Sequence, residues 1–461
     1  MQSIAIQEIP YQPDSENLFA AVRDLPDAIW LDSGKPRSTQ GRFDIISASP
    51  DALIETNGQV STITDIHGTT TSDADPFDLA QQLLKPLHPL DNTAASYPFV
   101  GGLIGYFGYD LGRRLIAIEN RAGAVTKLPD MRIGRYLWAL IIDHSARQCQ
   151  LVFHPHCSEE LRTDIIQRYQ NNRVPGATGS VFTLTETFKA TLSQEQYQQA
   201  IRSIKDYIAC GDCYQTNFTQ HFSAAFKGDL WEAYKALRAK APSPYSAFWQ
   251  WPDQALLCLS PERFIQSLDN MVETKPIKGT IVRGATVAED QQLAQQLVNS
   301  SKDRAENLMI VDLLRNDLSK NCESGSISVP ALFELESFAN VHHLVSTVTG
   351  KLEKSASPLD LLRDSFPGGS ITGAPKKRAM QIIEELEPVR RSVYCGSIGY
   401  ISANNRMDSN IAIRTVIADG EKLHCWGGGG IVADSQEDRE YQESIDKISA
   451  LLEALETFYK P

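Results

Sequence analysis

The sequence predicts an α+β fold: large, mostly antiparallel sheets packed together, with helices outside. Two observations carry this. Residues 1–170 read as short β-prone runs broken by turn residues, and beyond residue 190 strands and helices intermingle without the regular alternation that builds a parallel sheet. The 461 residues, 42% hydrophobic and 22% charged, are ample for a large core and for two or three domains.

In chain order, strands are predicted at residues 45–48, 52–56, 60–63, 136–142 and 150–153, with a helix at Pro76–Leu84. Residues 98–110, PFVGGLIGYFGYD, interleave glycines with aromatics, as in tightly packed strand or turn where backbones approach closely. No strand–turn–helix follows that would make them a dinucleotide loop. Residues 171–180, NNRVPGATGS, form the predicted linker between an N-terminal region, 1–175, and a second region, 190–461. The two regions are expected to pack as one unit. Ser193 is a plausible N-cap for a helix whose apolar face carries Ile201, Ile204 and Ile208.

The net charge of -13 argues against nucleic acid or anionic membrane as the main partner. The first thirty residues lack a basic start with an apolar core, and no apolar run is long enough to span a bilayer. Eight cysteines without framework spacing suggest reduced thiols, hence a cytoplasmic location. Cys210 and Cys213 have CxxC spacing, but a helix end turning at Gly211 is the plainer reading. His154-Pro155-His156-Cys157 lacks a second ligand pair and reads as a solvated loop rather than a zinc site.

Four features carry chemistry. Asp303 and Glu306 share one face at the start of a helix that is apolar nearly all round beyond them, which predicts a buried helix with an acidic mouth. Alone, such a pair equally complements a helix N-terminus. Glu440 and Glu443 repeat the spacing on a second helix, with Lys447 four residues on. Two acidic pairs offer the hard oxygen ligands that Mg2+ takes, although a solvated face is the alternative. Pro367–Pro375 (PGGSITGAP) leads into a predicted helix, Lys376–Leu386, placing amides near Gly373 and Ala374 at a helix N-terminus. The run Gly427-Gly428-Gly429-Gly430 adds a second stretch without side chains. Gly-Lys-Ser/Thr is absent, which excludes a phosphate loop of the NTPase kind. Finally, Lys278 in Lys275-Pro276-Ile277-Lys278-Gly279-Thr280 becomes a nucleophile only if burial and nearby cations keep it neutral, and Glu262 offers an acid or base. From composition alone, Lys278 reads as a surface lysine.

The blocks DRAENLMIVDLLRNDL, PGGSITGAPKKRAM, MDSNIAIRT, GGGGIVADS and EYQESIDK, in that order, resemble the chorismate-utilising family over residues 190–461. That family includes anthranilate synthase large subunits, isochorismate and salicylate synthases, and aminodeoxychorismate synthase. The N-terminal half resembles the companion portion of the same large subunits, which implies their sandwich-like packing of antiparallel sheets. Anthranilate synthases usually carry alanine where this chain has Lys278, whereas lysine marks the aminodeoxychorismate-forming branch. Isochorismate-type members carry a water-activating lysine at the position matching Gln215. Glutamine cannot take that proton, so ammonia is the implied nucleophile.

The resemblance implies that Lys278 attacks chorismate while Glu262 protonates its leaving hydroxyl. It implies Mg2+ on Glu306 and Glu443, with Asp303 and Glu440 as outer partners. The metal and Lys447, with amides near Gly430, would hold the ring carboxylate, and Arg414 and Tyr394 the enolpyruvyl carboxylate; His343 and Thr372 would line the pocket, and Gly373 and Gln215 complete the substrate-binding set. It also implies an L-tryptophan pocket at Ser33, Gly41, Arg42 and Phe43 with Pro244, Tyr245 and Ser246. No glutaminase block is recognisable, so ammonia would come from a separate glutamine amidotransferase subunit. The competing expectations are anthranilate synthase component I and a non-catalytic, regulatory chorismate-binding subunit.

Overall fold

Residues 3–38, 40–171, 180–337 and 341–460 are described by a computed structural model. Among them the strands form two open sheets of 13 and 12 strands, and the named strands pair antiparallel throughout, from Ala5–Ile9 with Gln148–Phe153 to Gly102–Phe107 with Met131–Tyr136. The sheets pack face to face. Ile45, Ala247, Leu256 and Cys258 of one and Leu103, Ile133 and Ile398 of the other share a core. Alternate residues of the first sheet (Ile46, Phe248, Leu257, Leu259) point the opposite way, where they meet helices Glu16–Ala20, Leu230–Lys240 and Glu437–Glu456. This is the period-two geometry of strands buried on both faces.

Burial on both faces explains one correction. Residues 136–142 read as a single strand because they are continuously apolar. They are instead the end of Met131–Tyr136 in the 12-stranded sheet and most of Trp138–Asp143 in the 13-stranded sheet, with the chain crossing at Leu137. Both destinations are dry, so the pattern carries no mark of the crossing. The other predicted strands stand within one to three residues, at Phe43–Ser47, Ala52–Asn57, Val60–Asp65 and Gln148–Phe153. The helix Pro76–Leu84 is capped by Asp75.

Of the predicted linker, residues 172–179 lie outside the described residues. Strands from either side of it share both sheets. Ile29–Asp32 pairs with Tyr245–Trp251, and Gly102–Phe107 with Ser397–Ser402. Helix Gln194–Ala209 opens on a capping box made by Ser193 and Gln196 and turns off at Gly211, whose φ of 82° suits glycine. All eight cysteines are free. His154 is not in a solvated loop: it is buried against the Leu87 carbonyl, and dehydration pushes its pKa down to about 4. Among the described residues no helix is long and apolar enough to cross a membrane.

Candidate active site

Lys278 stands on strand Ile277–Val282, which pairs with Val341–Lys351 and slips register between Lys278 and Thr280. Gly279 makes the slip with a φ of 76°; a Cβ there would press on Asp303 Cγ at 3.0 Å. The bulge turns Lys278 inward, where its Nζ donates to the Ser370 carbonyl at 2.9 Å. Dehydration lowers its pKa, opposed by the carboxylates of Glu262 and Glu306. The surface-lysine reading gives way to an amine held inward on the Ser370 carbonyl, its pKa lowered by dehydration.

Glu262, buried just before strand Arg263–Leu268, accepts the Ser370 hydroxyl at 2.7 Å on Oε1. Burial raises its pKa, while Lys278 and the Ser370 hydroxyl pull the other way. A carboxyl group with a raised pKa beside an amine with a lowered one is the arrangement that an acid and a nucleophile would need.

The acidic helix is Ser301–Ser319, capped by Ser300. It is not buried all round: Asn307, Ile310, Val311, Leu314 and Leu318 are buried, whereas Leu308 is 47% exposed. One sheet surface covers only one stripe of a helix. Glu306 faces Lys278 with a pKa raised by burial, and Asp303 lies against Gly279. On helix Glu437–Glu456, Glu440 is buried, accepts from Ser435 at 2.6 Å and also has its pKa raised by burial. Burial would raise Glu443 too, but the Lys447 ammonium at 2.7 Å carries it below its ordinary value. Lys302, unremarked in the sequence, reaches both helices, 3.9 Å from Glu306 and 3.9 Å from Glu440.

These carboxylates suit a hard divalent cation in donor chemistry and excess charge. Gly429 keeps the space before them open, since a Cβ there would lie 3.2 Å from Glu443 Oε1 and 3.6 Å from Glu440 Oε2. Among the described residues no three acidic, histidine or cysteine side chains close on one point as a finished metal cage.

The glycine run is strand rather than loop, lying in Lys422–Ile431 and pairing with Gln215–Lys227. Gly430 is opened by the Gln215 side chain, which sits where a Cβ would project. Gln215 is buried, and its Oε1 has no partner among the described residues. Gly373 and Ala374 bridge to Thr216 and Gln215 before helix Lys376–Leu386. Arg414 adopts a left-handed φ of 50° and has no carboxylate in ion-pair range among the described residues; dehydration lowers its pKa. An under-partnered guanidinium of this kind suits an incoming carboxylate. It also opposes charge on nearby His343, whose pKa burial pushes down to about 4 and whose Nδ1 meets the Thr280 hydroxyl. Tyr394 is buried and stacked on Trp426. Thr372 is wholly buried, with its hydroxyl on the Gly368 carbonyl.

A separate cavity of about 630 Å³ is lined by Gly41, Arg42, Phe43, Pro244, Tyr245 and Ser246, together with Asp32, Arg263 and Asp408. Ser33 lies behind this wall, its hydroxyl held by Asp44 at 2.6 Å.

A family described as "chorismate binding enzyme" matches residues 27–453. The aminodeoxychorismate synthase component 1 of Klebsiella aerogenes is 46% identical over 458 residues, 99% of this chain and 100% of that protein. That of Salmonella typhimurium is 46% identical, covering 97% of each. Among solved structures, the anthranilate synthase component I of Streptococcus pneumoniae superposes with a TM-score of 0.80 at 32% identity, covering 90% of this chain and 93% of that one.

Proposed function

Because this chain belongs to the chorismate-binding enzyme family, we propose that it works as component I of an aminodeoxychorismate synthase. It would convert chorismate and ammonia to 4-amino-4-deoxychorismate on the route to 4-aminobenzoate and folate. The observation that carries this reading is Lys278 itself, a dehydrated amine beside a dehydrated carboxyl group. Neutral Lys278 attacks C2 of chorismate, the ring double bonds each shift by one position, and the 4-hydroxyl leaves as water with the proton of Glu262. Ammonia then adds at C4, the double bonds shift back, and the lysine nitrogen departs with the enolpyruvyl group still in place. Gln215 supports ammonia over water, since an amide cannot act as the base that water needs.

Glu306 and Glu443, with Asp303 and Glu440 beside them, would hold Mg2+, whose charge would stand opposite the ring carboxylate. Lys447 and the backbone at Gly430 and Gly373 serve that same carboxylate, Arg414 and Tyr394 the enolpyruvyl carboxylate, and His343 and Thr372 the pocket wall. The component 1 names of the relatives support a separate glutamine amidotransferase subunit as ammonia donor. L-tryptophan is proposed for the 630 Å³ cavity, whose wall includes six of the seven residues expected to hold it.

Incubation with chorismate, Mg2+ and ammonium, followed by mass spectrometry, tests the reaction. Aminodeoxychorismate is expected, and anthranilate formed without a separate lyase would replace this reading with anthranilate synthase. Absence of a thermal shift on adding tryptophan would remove tryptophan from the cavity.

A further inference from the structure

Ser370 touches Lys278 and Glu262 at once, through different atoms, on a turn that is pinned throughout. Five successive carbonyls each have a donor. Thr372 Oγ1 and N serve Gly368 and Gly369 at 2.9 and 3.4 Å, Lys278 Nζ serves Ser370 at 2.9 Å, Arg391 Nη1 serves Ile371 at 2.9 Å, and the Asn217 amide serves Thr372 at 2.8 Å. The turn is also packed to contact: a Cβ on Gly368 would meet Ile411 at 2.7 Å, and one on Gly369 would meet Leu313 at 2.6 Å. Arg391 is itself locked by Glu387 at 2.7 Å. The one carbonyl in the series that serves the site is therefore held in place by its neighbours, and the Ser370 hydroxyl beside it reaches Glu262 Oε1 at 2.7 Å.

We propose that Ser370 is a positioning residue that orients nucleophile and acid together, its carbonyl aiming the Lys278 amine and its hydroxyl assigning the two oxygens of Glu262. This rests on the covalent reading of Lys278. A neutral amine that donates one N–H to the carbonyl directs its lone pair away from the turn. As that pair forms the bond to C2, the nitrogen gains positive charge, and the same carbonyl accepts its N–H more strongly. At Glu262 the hydroxyl occupies Oε1 and the Ile277 amide also steadies the carboxylate; the proton that leaves with the 4-hydroxyl as water is assigned to Oε2. Nucleophile and acid are thus referenced to one residue, the fixed geometry that concerted attack and protonation demand.

The charged groups facing Glu262 are Lys278 and Lys447; those facing Lys278 are Glu262, Glu306, Glu443 and Lys447. None is removed by Ser370→Ala, which deletes only the hydroxyl. The test follows the mass of the Lys278–chorismate adduct in rapid-quench samples without ammonia, together with the pH profile of kcat and chorismate affinity. In Ser370→Ala, adduct formation is expected to slow about tenfold to a hundredfold with affinity preserved. The alkaline limb of kcat should move to higher pH, because the lost hydroxyl had stabilised the carboxylate. Ser370→Thr, which retains a hydroxyl, should restore both. Wild-type adduct rate and an unmoved alkaline limb in Ser370→Ala would overturn the proposal. So would a loss that tracks lowered Tm and weakened chorismate binding and is not restored by threonine. If the wild-type protein forms no adduct, the covalent reading fails, and the alkaline limb still decides whether Ser370 positions Glu262.

Discussion

The Lys278 site and the 630 Å³ cavity stand on the same sheets yet treat charge in opposite ways. In the cavity wall charges are saturated. Asp32 takes Arg238 at 2.7 Å, the Tyr234 hydroxyl at 2.9 Å and the Gly34 amide at 2.7 Å, and Arg263 lies between Asp408 at 3.0 Å and Glu273 at 2.7 Å. In the site, apart from the Glu443–Lys447 pair at 2.7 Å, Lys278 has a neutral carbonyl, Glu262 a hydroxyl, and Arg414 no carboxylate in reach among the described residues. Glu262 and Arg263 are sequence neighbours and serve the two regions separately, one in the site and one in the cavity wall. Under-partnered charge leaves free energy available for substrate and transition state, whereas saturated charge builds a rigid wall.

The largest expected effect is on turnover. Lys278→Ala should abolish adduct formation, and Glu262→Gln should lower kcat by about 10²–10⁴-fold. In both, Tm should hold or rise, because a costly buried group is lost; a Tm drop of several degrees in both variants would erase the contrast. Arg238→Ala should do the reverse. It strands the Asp32 carboxylate and should destabilise by about 3–5 kcal/mol in denaturant titration, while the surviving folded protein keeps its kcat.

Next comes pH. Lys278 must be neutral, so kcat falls as pH drops below its lowered pKa. Glu262 must be protonated, so kcat falls as pH rises through its raised pKa. The resulting bell should lose its alkaline limb in the residual activity of Glu262→Gln; an unchanged bell would reassign that limb. Lys302→Ala should strengthen Mg2+ binding, read by calorimetry, by less than about fivefold, since its contacts are long and its own side chain is 45% exposed. Smallest is Arg42→Ala. Its pair with Asp143 is 58% exposed on the arginine side and should contribute less than about 1 kcal/mol to stability.

The local patterns of the candidate site could be read directly, as i, i+3 carboxylates on two helices and glycines before a helix, whereas Lys278 read as a surface lysine and Arg414, Tyr394 and His343 were implied only by the family resemblance. Ser370 and Lys302 went unread for a physical reason. Ser370 matters through atoms 92 and 108 residues away, and Lys302 joins the local Glu306 to the distant Glu440; a serine in a glycine turn or a lysine in a helix has no signature of its own. Leu308 misled because helical apolarity does not say how much of a helix its neighbours cover. The crossing at Leu137 was hidden because both sheets are equally dry.

By itself, then, the sequence determined the antiparallel α+β class, the start of the helix capped by Ser193, and the chemical inventory of lysine, carboxylates and glycines. Those follow from periodicity and side-chain chemistry, which act over a few residues. Only the tertiary structure decided that Lys278 is a dehydrated amine rather than a surface lysine, that Glu262 shares Ser370 with it, and that Asp32 is satisfied while Arg414 is not. Desolvation and Coulomb terms depend on what surrounds a charge in space, and that is settled by packing between segments far apart in the chain, 92 residues for Lys278 and Ser370 and 206 for Asp32 and Arg238.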